Sequence, residues 1–283
     1  MNKSSKKSIE ILIATMNRTS LDFLDDMFPK KRWNNLSILI VNQTCENVLL
    51  NSEIPSVRVI NSFELGLSKS RNLAILNSIG SILVIADDDV VYEDDFITTI
   101  DNAHSENPDA VIIAFSVNNE KGKPFKKYAE KTKYELNYFD IYNIMSIEIT
   151  LNKDNFDYKN IKFDENFGIN EIFLFGEEQI FLADLKKQNH QMIFVPKVIA
   201  SHDSASSNEK IDFENQYFSL GGVYSRNHGQ KYFKWILLKI FFDLKQFKLK
   251  IRNVKMAFSK ALQGENCFRL VNNDNNLAAI LKK

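Results

Sequence analysis

A chain of 283 residues, 44% hydrophobic and 25% charged, holds enough apolar material for one large α/β domain or two small ones. Lys+Arg and Asp+Glu balance at 36 each, which excludes a global field drawing the protein to nucleic acid or membrane, so any such attraction must come from local clustering. Cys45 and Cys267 stand far apart with no CxxC, so neither a disulfide framework nor a zinc site is expected, and a reduced, cytoplasmic setting follows.

The N-terminal "MNKSSKKSIEILIAT" carries lysines, but its apolar run is too short for a signal peptide or a membrane span. Apolar, β-favouring runs then recur: "IEILIAT" (9–15), "LSILIVN" (36–42), "VRVI" (57–60), "SILVIA" (81–86) and "AVIIAFS" (110–116). They are continuous rather than alternating, as in strands buried on both faces. Helices are predicted between them. "SLDFLDDMF" (20–28) has Ser20 as a candidate cap, and "SKSRNLAILNSI" (68–79) sets Leu73, Leu76 and Ile79 on one stripe before Gly80. "EDDFITTIDNAH" (93–104) carries its acids in the first turn. The order β-α-β-β-α-β-α-β implies an open, mostly parallel, Rossmann-like α/β sheet flanked by helices.

From about 117 to 175 the pattern weakens into polar, tyrosine-rich sequence. It returns with an amphipathic helix, "FGEEQIFLADLKKQN" (175–189), and with "QMIFVPKVIASHD" (191–203), read as two short strands. After Asp212 the chain reads as helix to about residue 262, and the final "NNDNNLAAILKK" reads as frayed or weakly docked. The expected organisation is a catalytic domain over 1–205, with a donor half to about 116 and an acceptor half beyond it, then a helical C-terminal extension over 206–283.

Within that extension "KYFKWILLKIFFDLKQFKLKIRNVK" (231–255) holds eight Lys/Arg against one Asp. Read as one helix, it gathers Lys231, Lys234, Lys245, Lys248, Arg252 and Lys255 on one side, with Trp235, Leu238, Ile240 and Phe242 elsewhere. Such a helix suits an anionic membrane interface as well as it suits packing on the domain with a solvated basic face.

The sharpest feature is "ILVIADDDVVYEDDF" (82–96), where a buried strand runs into three aspartates. Ligands of open α/β sheets bind beyond the carboxyl ends of the strands, and "ILVIA" delivers Asp87, Asp88 and Asp89 there. Adjacent carboxylates repel unless a cation neutralises them, and oxygen ligands suit Mg²⁺ or Mn²⁺ with a substrate phosphate. Strand alternation puts Asp87 and Asp89 on one side and Asp88 on the other. Taken alone, the triplet also suits a solvated turn before the helix at 93, and Asp94 and Asp95 fit that role. "ATMNR" (14–18) reaches the same sheet edge, where Thr15, Asn17 and Arg18 are placed to grip a nucleotide. Arg71, in "GLSKSRNLAI", is placed to contact a base or phosphate. "FGEEQIF" and "ASH" add an acidic pair and His202.

In this order the segments "ATMNR", "SKSRN", "GSILVIADDD", "GEEQIF" and "SH" resemble the family-2 glycosyltransferases of the A-type nucleotide-sugar fold, over roughly residues 8–205. The resemblance implies metal-dependent transfer of a sugar, a hexose by type, from a nucleoside diphosphate, UDP first, to a glycan or lipid-linked acceptor, with inversion at the anomeric carbon. It places Thr15 in the nucleoside pocket, Arg71 on base or phosphate, and Asp87 on the nucleoside or the metal. It makes Asp89 and His202 ligands of Mn²⁺ or Mg²⁺, and Glu178 the catalytic base. Two departures stand out: Asn42 occupies the place of an aspartate that accepts from the base, and the base is a glutamate where aspartate is frequent. Glu177 is assigned to acceptor or donor hydroxyls. Bacterial surface-polysaccharide assembly, capsule included, at the inner face of the cell membrane is the associated setting, with no nucleic acid partner.

The assigned roles suit the chemistry. A sugar diphosphate leaves readily only when its charge is neutralised, and an acceptor hydroxyl attacks only as a carboxylate takes its proton. Two other readings compete. "LVIADDDVV" also fits the strand–DxD segment of haloacid-dehalogenase-type phosphohydrolases, although three strands precede it here. A non-catalytic nucleotide- or carbohydrate-binding module is the other.

Overall fold

The computed structural model describes residues 7–29, 33–202 and 211–273. They divide into two compact units: the first takes the chain up to residue 65, then 69–162 and 185–204; the second takes 66–68, 163–184 and the chain from 205 onward.

The first unit is built on a mixed eight-stranded sheet in the order β3-β2-β1-β4-β7-β6-β8-β5. Its strands are β1 (Ile9–Met16), β2 (Ile38–Gln43), β3 (Val57–Ser62), β4 (Ile82–Asp87), β5 (Val91–Tyr92), β6 (Ile112–Asn119), β7 (Ile149–Asn152) and β8 (Met192–His202). The parallel block β3-β2-β1-β4 coincides with the four apolar runs predicted there. Neighbouring residues on opposite faces, Leu12 and Ile13, Leu39 and Ile40, Val84 and Ile85, are all buried, the reason the runs of β1, β2 and β4 show no alternation, while the edge strand β3 is only partly buried. Register aligns the carboxyl ends: Thr15 faces Asn42, Asn42 faces Asn61, and Ala14 faces Asp87.

Beyond β4 the structure departs from the expected order. β7, from the weakly patterned stretch, inserts antiparallel between β4 and β6. "QMIFVPKVIASHD" forms one strand of eleven residues rather than two. Its register against β6 shifts around Ser116, and the irregularity absorbs Pro196 and Lys197 without ending the strand.

The short helices are also corrected. α1 is Phe23–Met27, with Asp22 rather than Ser20 at the cap. α2 (Leu67–Asn77) buries Ser70, Arg71, Ala74 and Ile75, while Leu76 and Ile79 are exposed. The predicted Leu73–Leu76–Ile79 stripe is therefore not its inner face. α3 (Phe96–Glu106) has Asp95 at its cap, so Glu93, Asp94 and Asp95 all precede its first turn rather than filling it. α4 (Tyr138–Ile141) is a single turn. At the amino edge of the sheet, buried Glu10 accepts from the main-chain N–H groups of Ile79 (2.6 Å) and Gly80 (2.9 Å) and pairs with Arg58 at 2.7 Å, tying the end of α2 to β1.

α5 (Glu177–Lys187) contributes Glu177–Asp184 to the second unit. The unit's other helices are α6 (Phe213–His228), α7 (Tyr232–Lys245) and α8 (Val254–Asn273). α6 crosses α8 on glycine: a Cβ on Gly221 would stand 1.9 Å from the carbonyl oxygen of Ala261, and one on Gly264 would stand 1.8 Å from that of Phe218. The 231–255 segment is not one helix. It ends at Lys245, turns through Phe247 at φ 59° and passes a 3-10 turn at Ile251–Asn253 into α8, which continues to Asn273. The predicted frayed tail lies, from residue 274, outside the described residues. No described helix is long and apolar enough to cross a membrane.

Candidate active site

β4 stops at Asp87, so the strand alternation that would pair Asp87 with Asp89 stops there too. The three carboxylates turn to three sets of partners. Asp87 accepts from Arg71 Nη2 at 3.2 Å and from Ser146 Oγ at 3.3 Å. Asp88 Oδ2 accepts from Thr15 Oγ1 at 2.5 Å and from Arg18 through Nε at 2.8 Å and Nη2 at 2.7 Å. Asp89 lies 3.1 Å from His202 Nε2 and remains 63% exposed. Partition among three sites relieves the repulsion posed by the sequence. Its local cause is β5: Val91 and Tyr92 pair antiparallel with Ser201 and Ala200, which carries the residues just before β5 alongside the end of β8. The hydrogen bond from His202 holds the Asp89 carboxyl below its ordinary value, although partial burial opposes this.

Arg71 is almost wholly buried, which is why it reaches Asp87 from the inner face of α2. Ser146 was not foreseen. It sits at the start of a 3-10 turn (Ser146–Glu148) whose last residue, Glu148, is buried against Lys126 at 2.8 Å and the Tyr128 hydroxyl at 2.6 Å. Burial raises the Glu148 carboxyl above its ordinary value, while Lys126 works against that shift. This network fixes residues 126–128 and 145–148 to each other within the stretch where the sequence pattern weakens.

Asn42 is fully buried and its amide is committed. Its Oδ1 accepts from the Arg18 main-chain N–H at 3.0 Å. Its Nδ2 donates to the Arg18 carbonyl and to Asn61 Oδ1, both at 3.0 Å. Asn61 makes the same pair of bonds with the N–H and carbonyl of Leu50. The two amides act as rungs of a ladder running from the β1 loop through β2 and β3 to residue 50, and this holds the Arg18 backbone where its guanidinium meets Asp88. Asn17, at φ 54°, makes the turn, a left-handed conformation that asparagine tolerates. An aspartate at 42 would set a buried carboxylate against two acceptor oxygens. Asn42→Asp is expected to destabilise the protein by about 3 kcal/mol, read as a lowered urea midpoint. A midpoint equal to the wild type's would refute the ladder.

The acidic pair belongs to the second unit. Gly176 precedes it at φ 107°, and a Cβ there would stand 2.2 Å from Val223 Cγ2, so both backbone and packing demand glycine. Glu177 is buried beside Gly168 and Ser68, whereas Glu178, next on the first turn of α5, is half-exposed. Stacked rings support this segment, Phe163 on Phe181 and Phe167 on Phe173, each pair 4.5 Å between centroids. Arg226 of α6 clamps Asp184 of α5 and Asp164 at 2.7 and 3.0 Å.

Among the described residues no group of three His, Cys, Asp or Glu side chains comes together as a metal centre. The Asp89–His202 pair still fits a hard divalent cation of the kind that takes one or two protein ligands and completes its shell with substrate phosphate and water.

A sheet whose carboxyl edge carries these aspartates, with a glycine–acid helix start further along, is that of an A-type nucleotide-sugar transferase. The profile of Glycosyl transferase family 2 matches residues 10–167, more than half of the chain, so the chain belongs to that family and is a glycosyltransferase. Solved structures agree in fold. Staphylococcus aureus TarS (residues 1–349) superposes with a TM-score of 0.58 at 13% identity, covering 91% of this chain and 80% of that one. The same protein in complex with UDP gives 0.57 at 13%, covering 91% and 80%. Its UDP-GlcNAc complex gives 0.58 at 12%, covering 91% and 81%. No curated protein matches the chain. Family membership sets aside the phosphohydrolase and the binding-module alternatives.

Proposed function

We propose that the protein transfers a sugar from a UDP-sugar to a glycan or lipid-linked acceptor with inversion at the anomeric carbon. The observation that carries this reading is the sheet edge, where Thr15, Arg18 and Asp88 form one hydrogen-bonded cluster while Asp89 stays exposed beside His202. The nucleotide complexes of TarS support UDP as the donor nucleotide.

In this reading Thr15, Asn17, Arg18, Arg71, Asp87 and Asp88 bind or shape the nucleotide site. Asn42 acts on it through the Arg18 main chain. Asp89 and His202 would hold Mn²⁺ or Mg²⁺, and Asp87, already engaged by Arg71, supports that site from the strand end. When bound, the cation neutralises charge developing on the departing diphosphate. Arg71 and Arg18 add fixed positive charge close to the carboxylates, and their hydrogen bonds hold it preorganised. Half-exposed Glu178 takes the proton of the attacking hydroxyl. Buried Glu177 orients hydroxyls from beside it. A single displacement with one base gives inversion. Residues 1–205 carry all these groups. Surface-polysaccharide or capsule synthesis is the process in which such an acceptor occurs.

Incubation with a panel of UDP-sugars and Mn²⁺, alone and with glycan or polyprenyl-linked acceptors, tests the reading. UDP release that rises when one acceptor is added is the expected result. No release with any pair would contradict it.

A further inference from the structure

We propose that the corner between α7 and α8 is a docking surface for an anionic membrane. The exposed face of α7 carries Phe233, Leu237 and Phe241, spaced four residues apart and so forming one apolar stripe. Past the helix end, Phe247 and Ile251 stand 94% and 83% exposed. Lys234, Lys245, Lys248, Lys250, Arg252 and Lys255 are exposed around them. Asp243, the sole acid from 231 to 260, is buried and held by Lys239 and the Tyr217 hydroxyl. A basic rim around bulky apolar tips, with no exposed carboxylate among them, complements anionic headgroups over an acyl layer.

Phe247 supplies the second argument. The N–H of Phe247 bonds the Leu244 carbonyl at 3.1 Å, and that of Lys248 bonds the Asp243 carbonyl at 2.9 Å. These are the two bonds of a Schellman cap, and the left-handed position within it is one that glycine fills without strain. Here it holds a phenylalanine at φ 59°. The chain therefore bears a steric cost to project an aromatic ring into water, a cost that folding alone does not explain. Insertion of that ring among lipid chains does explain it.

The consequence is a pair of effects of opposite sign. Phe247→Gly is expected to hold or raise the melting temperature and to lower vesicle binding about tenfold. Flotation of the full chain with phosphatidylcholine vesicles, plain or mixed with phosphatidylglycerol, measures the second effect. Wild type should float with the mixed vesicles only, and less at high salt. Lys248→Glu/Lys250→Glu should abolish flotation without changing the melting temperature. Equal behaviour on both vesicles, or full flotation of Phe247→Gly, would overturn the proposal. So would wild-type self-association in sedimentation that Phe247→Gly abolishes, because a second copy would then cover the surface. UDP release with a water-soluble acceptor, read on the same samples, reports on glycosyl transfer independently of this surface.

Discussion

Glu178→Gln is expected to lower kcat about 10³-fold while leaving the donor KM unchanged. Glutamine keeps the length and shape of the side chain but cannot take a proton, so the loss falls on the step in which the acceptor hydroxyl attacks. In the proposed function the donor binds to groups on the sheet edge, so donor binding should not register the change. Glu177→Gln is the control. Its side chain is buried where Glu178 is half-exposed, so its replacement should cost stability and acceptor KM before it costs kcat. Steady-state kinetics on both variants with one donor–acceptor pair decides the matter. If Glu177→Gln shows the 10³-fold loss and Glu178→Gln is active, the two roles exchange.

The second large effect is on stability. Gly264→Ala adds one methyl group to α8, and helix propensity alone would favour it by about 1 kcal/mol. The packing term has the opposite sign and is larger. The new Cβ would stand 1.8 Å from the Phe218 carbonyl oxygen, against main chain that cannot move aside as a side-chain tip can. Relief requires α6 and α8 to separate, and the net cost is expected to be about 3 kcal/mol or more. Gly221→Ala meets the Ala261 carbonyl in the same way. Once the helices have parted for one substitution, the second finds the space already open. The double variant should therefore cost well under the sum of the two. Urea melts of the three variants measure both points, and strict additivity would show that the two contacts are independent.

Three of the four parallel strands, β1, β2 and β4, were legible because they are buried on both faces, so their apolar runs need no partner to be recognised. β7 and β5 were not. β7 lies in polar surroundings, and its place between β4 and β6 depends on pairing that no local pattern encodes. β5 is two residues long. The aspartate triplet stood out, but its geometry did not follow from alternation, because the strand ended one residue into it. The inner face of α2 differs from the predicted stripe because it carries Ser70 and Arg71, polar residues that a hydrophobic stripe overlooks. Arg71 is inside because Asp87 is there to receive it. The Asn42–Asn61 ladder has a sequence signal, since "VRVIN" ends at the same sheet edge as "ILIVN". Ser146 left none. The break at 246 was hidden by a phenylalanine occupying the position where glycine would have announced a helix end.

The proposed function depends on a donor diphosphate held through a cation at Asp89 and His202. Thermal unfolding with UDP, with and without Mn²⁺, tests that dependence most directly. With UDP at about a hundred times its Kd, bound ligand should add about 2.7 kcal/mol to stability. The account predicts a shift of several degrees with UDP and Mn²⁺ together, little with either alone, and none in Asp89→Ala. A UDP shift that is equal without Mn²⁺, or that survives in Asp89→Ala, would contradict it.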